Sequence, residues 1–140
     1  MDVRHKAFAE ALESFSYLAT VDMATLATQI DKRLIDGLEN GKAQKFEYTL
    51  ELCWKAIKIA LNEQEGIDEA SPKKVVKAWY LAGHLPEDDY LALLAAIDDR
   101  NKLSHIYGPE EFMAIVARLP EHAKLMQRVG KTLDTTGTPD

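Results

Sequence analysis

Apolar residues recur at three- and four-residue steps along most of this chain, the pattern of amphipathic helices. Val3, Ala7, Phe8, Ala11, Leu12, Phe15 and Leu18 form one stripe, with Glu10 and Glu13 off it. This spacing predicts a helix from after Asp2 to about Thr20. Between Val21 and Asn40 the step persists through Leu26, Ile30, Leu34 and Leu38, which predicts helix with breaks near Asp22 and Gly37-Gly41. The strongest period runs from Gly41 to about Glu65. There Phe46, Leu50, Cys53, Trp54, Ile57 and Leu61 mark one apolar face, and Tyr48, Leu52 and Ile59 mark a second. Two apolar faces put a helix at the centre of a bundle, or give it another chain to pack on.

Punctuation divides the remainder. Gly66 stops the long helix, Ser71-Pro72 supplies an N-cap with Pro at the first helical position, and Gly83 ends the segment bearing Val75, Val76, Trp79 and Tyr80. Pro86 then opens a helix whose first turn holds Glu87, Asp88 and Asp89, the charges favoured at that end. Gly108-Pro109 restarts the chain, Phe112, Met113, Ile115, Val116 and Leu119 continue the core, and Pro120 predicts a kink or restart before Leu125, Met126 and Val129. Residues 131–140 offer nothing to bury. The expected organisation is one helical domain over residues 1–130 and a disordered tail over 131–140.

Composition agrees with an all-α fold. The 140 residues are 46% hydrophobic, with seven Gly, five Pro and little β-branched alternation. The single cysteine, Cys53, lies on an apolar face; it excludes an internal disulfide and points to a reducing, cytoplasmic setting. No apolar run approaches the roughly 20 residues of a membrane span. A net charge of −6 argues against sequence-blind coating of nucleic acid but leaves room for a local basic site. There is no glycine-rich phosphate loop and no Cys/His metal spacing, so neither cofactor nor metal is expected. His5, His84 and His122 have no partner pattern and read as surface residues. Lys42, Lys45, Lys55 and Lys58, like Lys73, Lys74 and Lys77, read as solvated faces. Glu47 and Glu51 are like charges one turn apart; such a pair suits a metal or acid/base device, but with no His nearby and Lys55 a turn beyond Glu51, an ordinary Glu-Lys pair fits better.

The segment Arg100-Asn101-Lys102-Leu103-Ser104-His105-Ile106-Tyr107-Gly108-Pro109 concentrates the candidate chemistry. On a continuous helix, residues seven apart are turned by only roughly 20° and residues five apart by roughly 140°. Arg100, Ser104 and Tyr107 then share one stripe, and Asn101 and His105 the neighbouring one. A fixed cation, a group titrating near neutrality and a hydroxyl suit phosphate chemistry without a metal. Cations at a helix C-terminus also satisfy the macrodipole and its open carbonyls, and capping accounts for Arg100, Lys102 and His105 with no function at all.

The run Lys45-Phe46-Glu47-Tyr48-Thr49-Leu50-Glu51-Leu52-Cys53-Trp54-Lys55, the Ser71-Pro72 helix with its Trp, and Arg-Asn-x-x-x-His-x-Tyr together resemble the HEPN proteins (higher eukaryotes and prokaryotes nucleotide-binding). The similarity is to their nucleotidyltransferase substrate-binding subgroup and spans about Phe8 to Met126. It implies an up-and-down four-helix bundle with additional short helices, homodimeric, with the motif helices of two subunits meeting. It implies a minimal nucleotidyltransferase as partner, encoded nearby, and no membrane association. It further implies a metal-independent endoribonuclease toxin, with Arg100 and His105 catalytic, Asn101 and Ser104 supporting them, and Tyr107 the residue that the nucleotidyltransferase AMPylates. The substrate would be RNA, with transfer RNA a candidate. The alternative it leaves open is a non-catalytic subunit that binds nucleotide or presents substrate.

Overall fold

A computed structural model describes residues 3–105 and 108–136, and among these the regular structure is entirely helical. The elements are α1 (Val3–Ala19), α2 (Met23–Leu26), α3 (Lys32–Glu65), α4 (Pro72–Leu81), α5 (Glu87–Leu103) and α6 (Pro109–Thr136). Helix α3 is central and packs against α1, α4, α5 and α6. The first apolar face of its sequence packs into the core; on the second, Leu52 packs against that core, Ile59 is half-buried and Tyr48 stays 61% exposed.

Side-chain pairings fix the helix directions. Phe15 packs on Phe46 with ring centroids 5.8 Å apart, and the Thr49 hydroxyl reaches the Ala11 carbonyl at 3.4 Å, so α1 and α3 run antiparallel. Gln127 bonds Ser16, and Gly130 lies beside Phe8 and Leu12, so α1 and α6 are antiparallel too. Asp89 pairs with Arg128 and Asp99 with Arg118, so α5 runs antiparallel to α6. Thus α1, α3, α5 and α6 form an up-and-down four-helix bundle, to which α2 and α4 are short additions. Phe15, Phe46, Leu50, Ile57, Trp79 and Leu119 are fully buried in its core. Each side chain of this size contributes about 1.5–3 kcal/mol by leaving water.

Several boundaries differ from expectation, each for a local reason. The break after α2 falls at Asp31, whose carboxylate accepts from the Arg33 amide at 2.8 Å and starts α3. Gly37 and Gly41 do not interrupt α3. A helical glycine costs only about 1 kcal/mol, less than the packing downstream supplies. Pro120 lies inside α6 without ending it, because Ile115 and Leu119 before it and Ala123 and Met126 after it pack into the same core. The tail expected from residue 131 is helical through Thr136, and Leu133 is buried against the bundle. The remaining residues of that expected tail, 137–140, lie outside the described ones. Gly66 and Gly83 do end their helices, with φ of 67° and 91° in the left-handed region open to glycine.

Four residues expected at the surface are elsewhere. Lys42 is buried, its ammonium 3.9 Å from Glu39 on the preceding turn. His84 stacks on buried Trp79 and bonds Glu65 at 2.9 Å, closing the return from α4 to the end of α3. His5 is half-buried, with no hydrogen-bond partner for its enclosed Nε2. His122 is buried outright. Helical period alone does not separate an inward His from an outward one, since the ring suits either side.

Candidate functional site

Helix α5 supplies most of the candidate residues. Its acidic first turn and its basic last turn, Arg100 and Lys102, both complement the helix dipole. It ends at Leu103, two residues short of His105. The Ser104 amide donates to Asn101 O and the His105 amide to Lys102 O, each at 3.1 Å, which tightens the last turn. The premise of a continuous helix through Tyr107 therefore fails: Arg100 and Asn101 are helical, Ser104 caps, and His105 stands on the exit. Asn101, Ser104 and His105 are exposed. The Ser104 hydroxyl turns back to Arg100 O at 3.4 Å. Tyr107, the expected modification site, lies outside the described residues.

Within the single chain Arg100 is engaged by α3. Its Nη2 donates to Glu51 Oε2 of α3 at 2.9 Å, its side chain is one-third exposed, and its Nε is enclosed without a partner. Glu51 is the hub of this corner. The same Oε2 accepts from the Trp54 indole at 3.0 Å, and Oε1 pairs with Lys55 at 3.2 Å. The Glu51-Lys55 pair expected from the spacing is thus present, joined by two donors that spacing alone does not reveal.

The two carboxylates on this turn of α3 are driven apart. Burial pushes the Glu51 carboxyl up, but bonds from Trp54 and Lys55 and the charges of Arg100 and Lys55 outweigh it and leave its pKa below the ordinary value. At Glu47 burial wins over the more distant pull of Arg100, and its pKa is raised. Opposite shifts of neighbouring carboxylates accompany acid and base roles, and here one desolvation is compensated and the other is not.

A second polar cluster centres on Asp99, the residue before Arg100. Asp99 is buried, and its carboxylate takes a two-pronged contact from Arg118 at 2.9 and 2.8 Å and a bond from His122 Nε2 at 2.7 Å. The His122 ring stacks on Phe46 with centroids 5.1 Å apart. Burial raises the Asp99 pKa, while the bonds and charges of Arg118 and His122 lower it by more, so the net shift is downward. This network ties the α5 residue before Arg100 to α6, and sequence reasoning passed it over. The available signal was the four-residue spacing of Arg118 and His122, which sets both on one face of α6. No three His, Cys, Asp or Glu side chains are grouped to hold a metal among the described residues, and none of the described helices is long and apolar enough to cross a membrane.

Comparison with known proteins places this arrangement. Residues 4–135 match the family described as nucleotidyltransferase substrate binding protein like. The chain belongs to this family. The resemblance drawn from the α3 and α5 motifs is thereby upheld, and the family name suggests a nucleotidyltransferase partner. A crystallised protein from Thermus thermophilus is 32% identical, with a TM-score of 0.77 over 90% of this chain and 98% of the other. No curated protein matches.

Proposed function

We propose that this family member is a metal-independent endoribonuclease, paired with a minimal nucleotidyltransferase that silences it by transferring AMP to Tyr107. The observation that carries this reading is the exit of α5. His105 is exposed there, and the side chain of Arg100, on the helix that ends just before it, is one-third exposed. A homodimer that brings two such exits together supplies two imidazoles and two guanidinium groups to one phosphodiester.

The reaction follows from these groups. One imidazole takes the proton of a ribose 2′-hydroxyl, whose oxygen attacks the adjacent phosphorus. The bond to the 5′-oxygen breaks, and the second imidazole, entering as imidazolium, gives that oxygen its proton. The products are a 2′,3′-cyclic phosphate and a 5′-hydroxyl. Arg100 stabilises the charge on the non-bridging oxygens through its planar fork, with Asn101 and Ser104 placed to orient phosphate or imidazole. DNA, lacking the 2′-hydroxyl, is refused. AMP on Tyr107 sets a bulky anion two residues from His105 and blocks the cleft by charge and size.

Purified chain and its His105→Ala variant, incubated with an RNA pool containing transfer RNA, test this. The variant should cleave about 10²–10⁴-fold more slowly at an unchanged melting temperature. Addition of the nucleotidyltransferase and ATP should end cleavage by wild type but not by Tyr107→Phe. Equal RNA loss with both His105 forms would remove the catalytic assignment. One observation favours a second reading, a non-catalytic subunit that presents substrate: Arg100 is already neutralised by Glu51 within one chain. A stable complex with the nucleotidyltransferase and intact RNA would select it.

A further inference from the structure

A pocket of about 350 Å³ lies between the start of α1 and the middle of α3, lined by Arg4, Leu52, Trp54, Lys55 and Lys58. Its size falls near the lower end of small-molecule sites, which run from about 300 to 1,000 Å³. Its chemistry is unusual for an acidic protein, because three of the five lining residues are cations and none is an acid. The first turn of α1, the positive end of that helix's dipole, also carries no acidic residue. Lys58 is held in place by Asp68 at 2.9 Å and the Glu69 carbonyl at 2.6 Å, and Lys55 by Glu51. Trp54 is half-buried, and its indole N–H is engaged by Glu51. The ring therefore has no strong hydrogen bond left to give a ligand, only its π surface.

We propose that this pocket binds a nucleoside phosphate unit, with the base against Trp54 and Leu52 and the phosphate on Arg4, Lys55 and Lys58. An aromatic surface beside clustered cations is the combination that holds a single-stranded nucleotide without reading its sequence. An acidic peptide would use the cations and leave the indole idle. The pocket is also coupled to the candidate catalytic cation, since one carboxylate, Glu51, bonds Trp54, Lys55 and Arg100. A nucleotide seated here would thus be anchored to the same corner as the scissile phosphate. Its role as a subsite for RNA rests on the nuclease reading above; its capacity to bind a nucleotide does not.

The test uses the full chain carrying His105→Ala, so that no RNA is cut, titrated with AMP, a short single-stranded RNA and inorganic phosphate. The only other tryptophan, Trp79, is fully buried, so ligand-induced quenching of indole fluorescence reports Trp54. AMP and RNA should quench, phosphate should compete, and Trp54→Phe should abolish the signal. By calorimetry, Trp54→Ala, Arg4→Gln and Lys58→Gln should each weaken binding about tenfold or more. Binding to a chain with intact lysines should also fall with added salt, a readout that survives if Lys58→Gln does not fold. RNA binding much tighter than AMP marks a substrate subsite, and equal affinity marks a site for free nucleotide. No binding at millimolar AMP and RNA, or affinity indifferent to salt and to the loss of Arg4, would overturn the proposal. Cleavage by the wild-type chain without pocket binding would leave the nuclease reading intact and remove this one; pocket binding with no cleavage by the wild-type chain would do the reverse.

Discussion

Replacing Asp99 with Ala would test how the bundle holds the end of α5. The change leaves His122 buried at 8% side-chain exposure with no partner for Nε2, while Arg118, 46% exposed, regains water. An orphaned buried polar group costs about 1–3 kcal/mol, and a half-exposed ion pair adds about 0–1 kcal/mol. The loss should be near 3 kcal/mol, the lower edge for breaking a buried pair. In a chain of this length that lowers Tm by about 10 °C. Arg118→Ala, whose partner keeps His122, should cost about 1 kcal/mol. The pH dependence fixes the cause. Because the folded Asp99 pKa is depressed, its stabilisation is fully present above the unfolded value of about 3.9 and is lost as pH falls through the lower folded value. The gap between wild type and Asp99→Asn should therefore shrink on acidification below about pH 4. Urea melts followed by circular dichroism at neutral and acid pH measure both effects. An Asp99→Ala cost below about 0.5 kcal/mol, or a gap with Asp99→Asn that widens in acid, would refute this reasoning.

Three further outcomes follow from packing. Leu133→Ala should cost about 2–4 kcal/mol by denaturant melt, as for other fully buried leucines, because the chain beyond residue 130 is docked; a cost under about 0.5 kcal/mol would return it to an unpacked tail. Gly130→Ala should stabilise by about 0.5–1 kcal/mol, since a Cβ there meets Phe8 and Leu12 at an ordinary 3.7 and 3.8 Å within a helix, and a lower Tm would show that those side chains cannot accept it. Cys53 is buried with its thiol pKa pushed up to about 12, so alkylation at pH 8 should proceed only at the rate of unfolding, as read by mass spectrometry with and without urea.

The helices were legible in the sequence wherever burial and local chemistry agreed. Ser71-Pro72, Gly66 and Gly83 set boundaries through backbone constraints that no tertiary contact reverses. Gly37 and Gly41 misled because their penalties are local and small against packing summed along a long helix. Arg100 and His105 were legible as residue types but not as geometry. The partner of Arg100 is Glu51, 49 positions away, and only the antiparallel stacking of helices brings such pairs together. His122 illustrates the same limit: its burial follows from Asp99 and Phe46, which lie on two other helices.

The most direct measurement of the central claim is cleavage in excess EDTA of a substrate RNA and of the same RNA with a single 2′-deoxyribose at the cut site. The account predicts metal-free cleavage of the first, leaving a 2′,3′-cyclic phosphate, and none at the modified position of the second. Cleavage of both, or of neither without added metal, would contradict it.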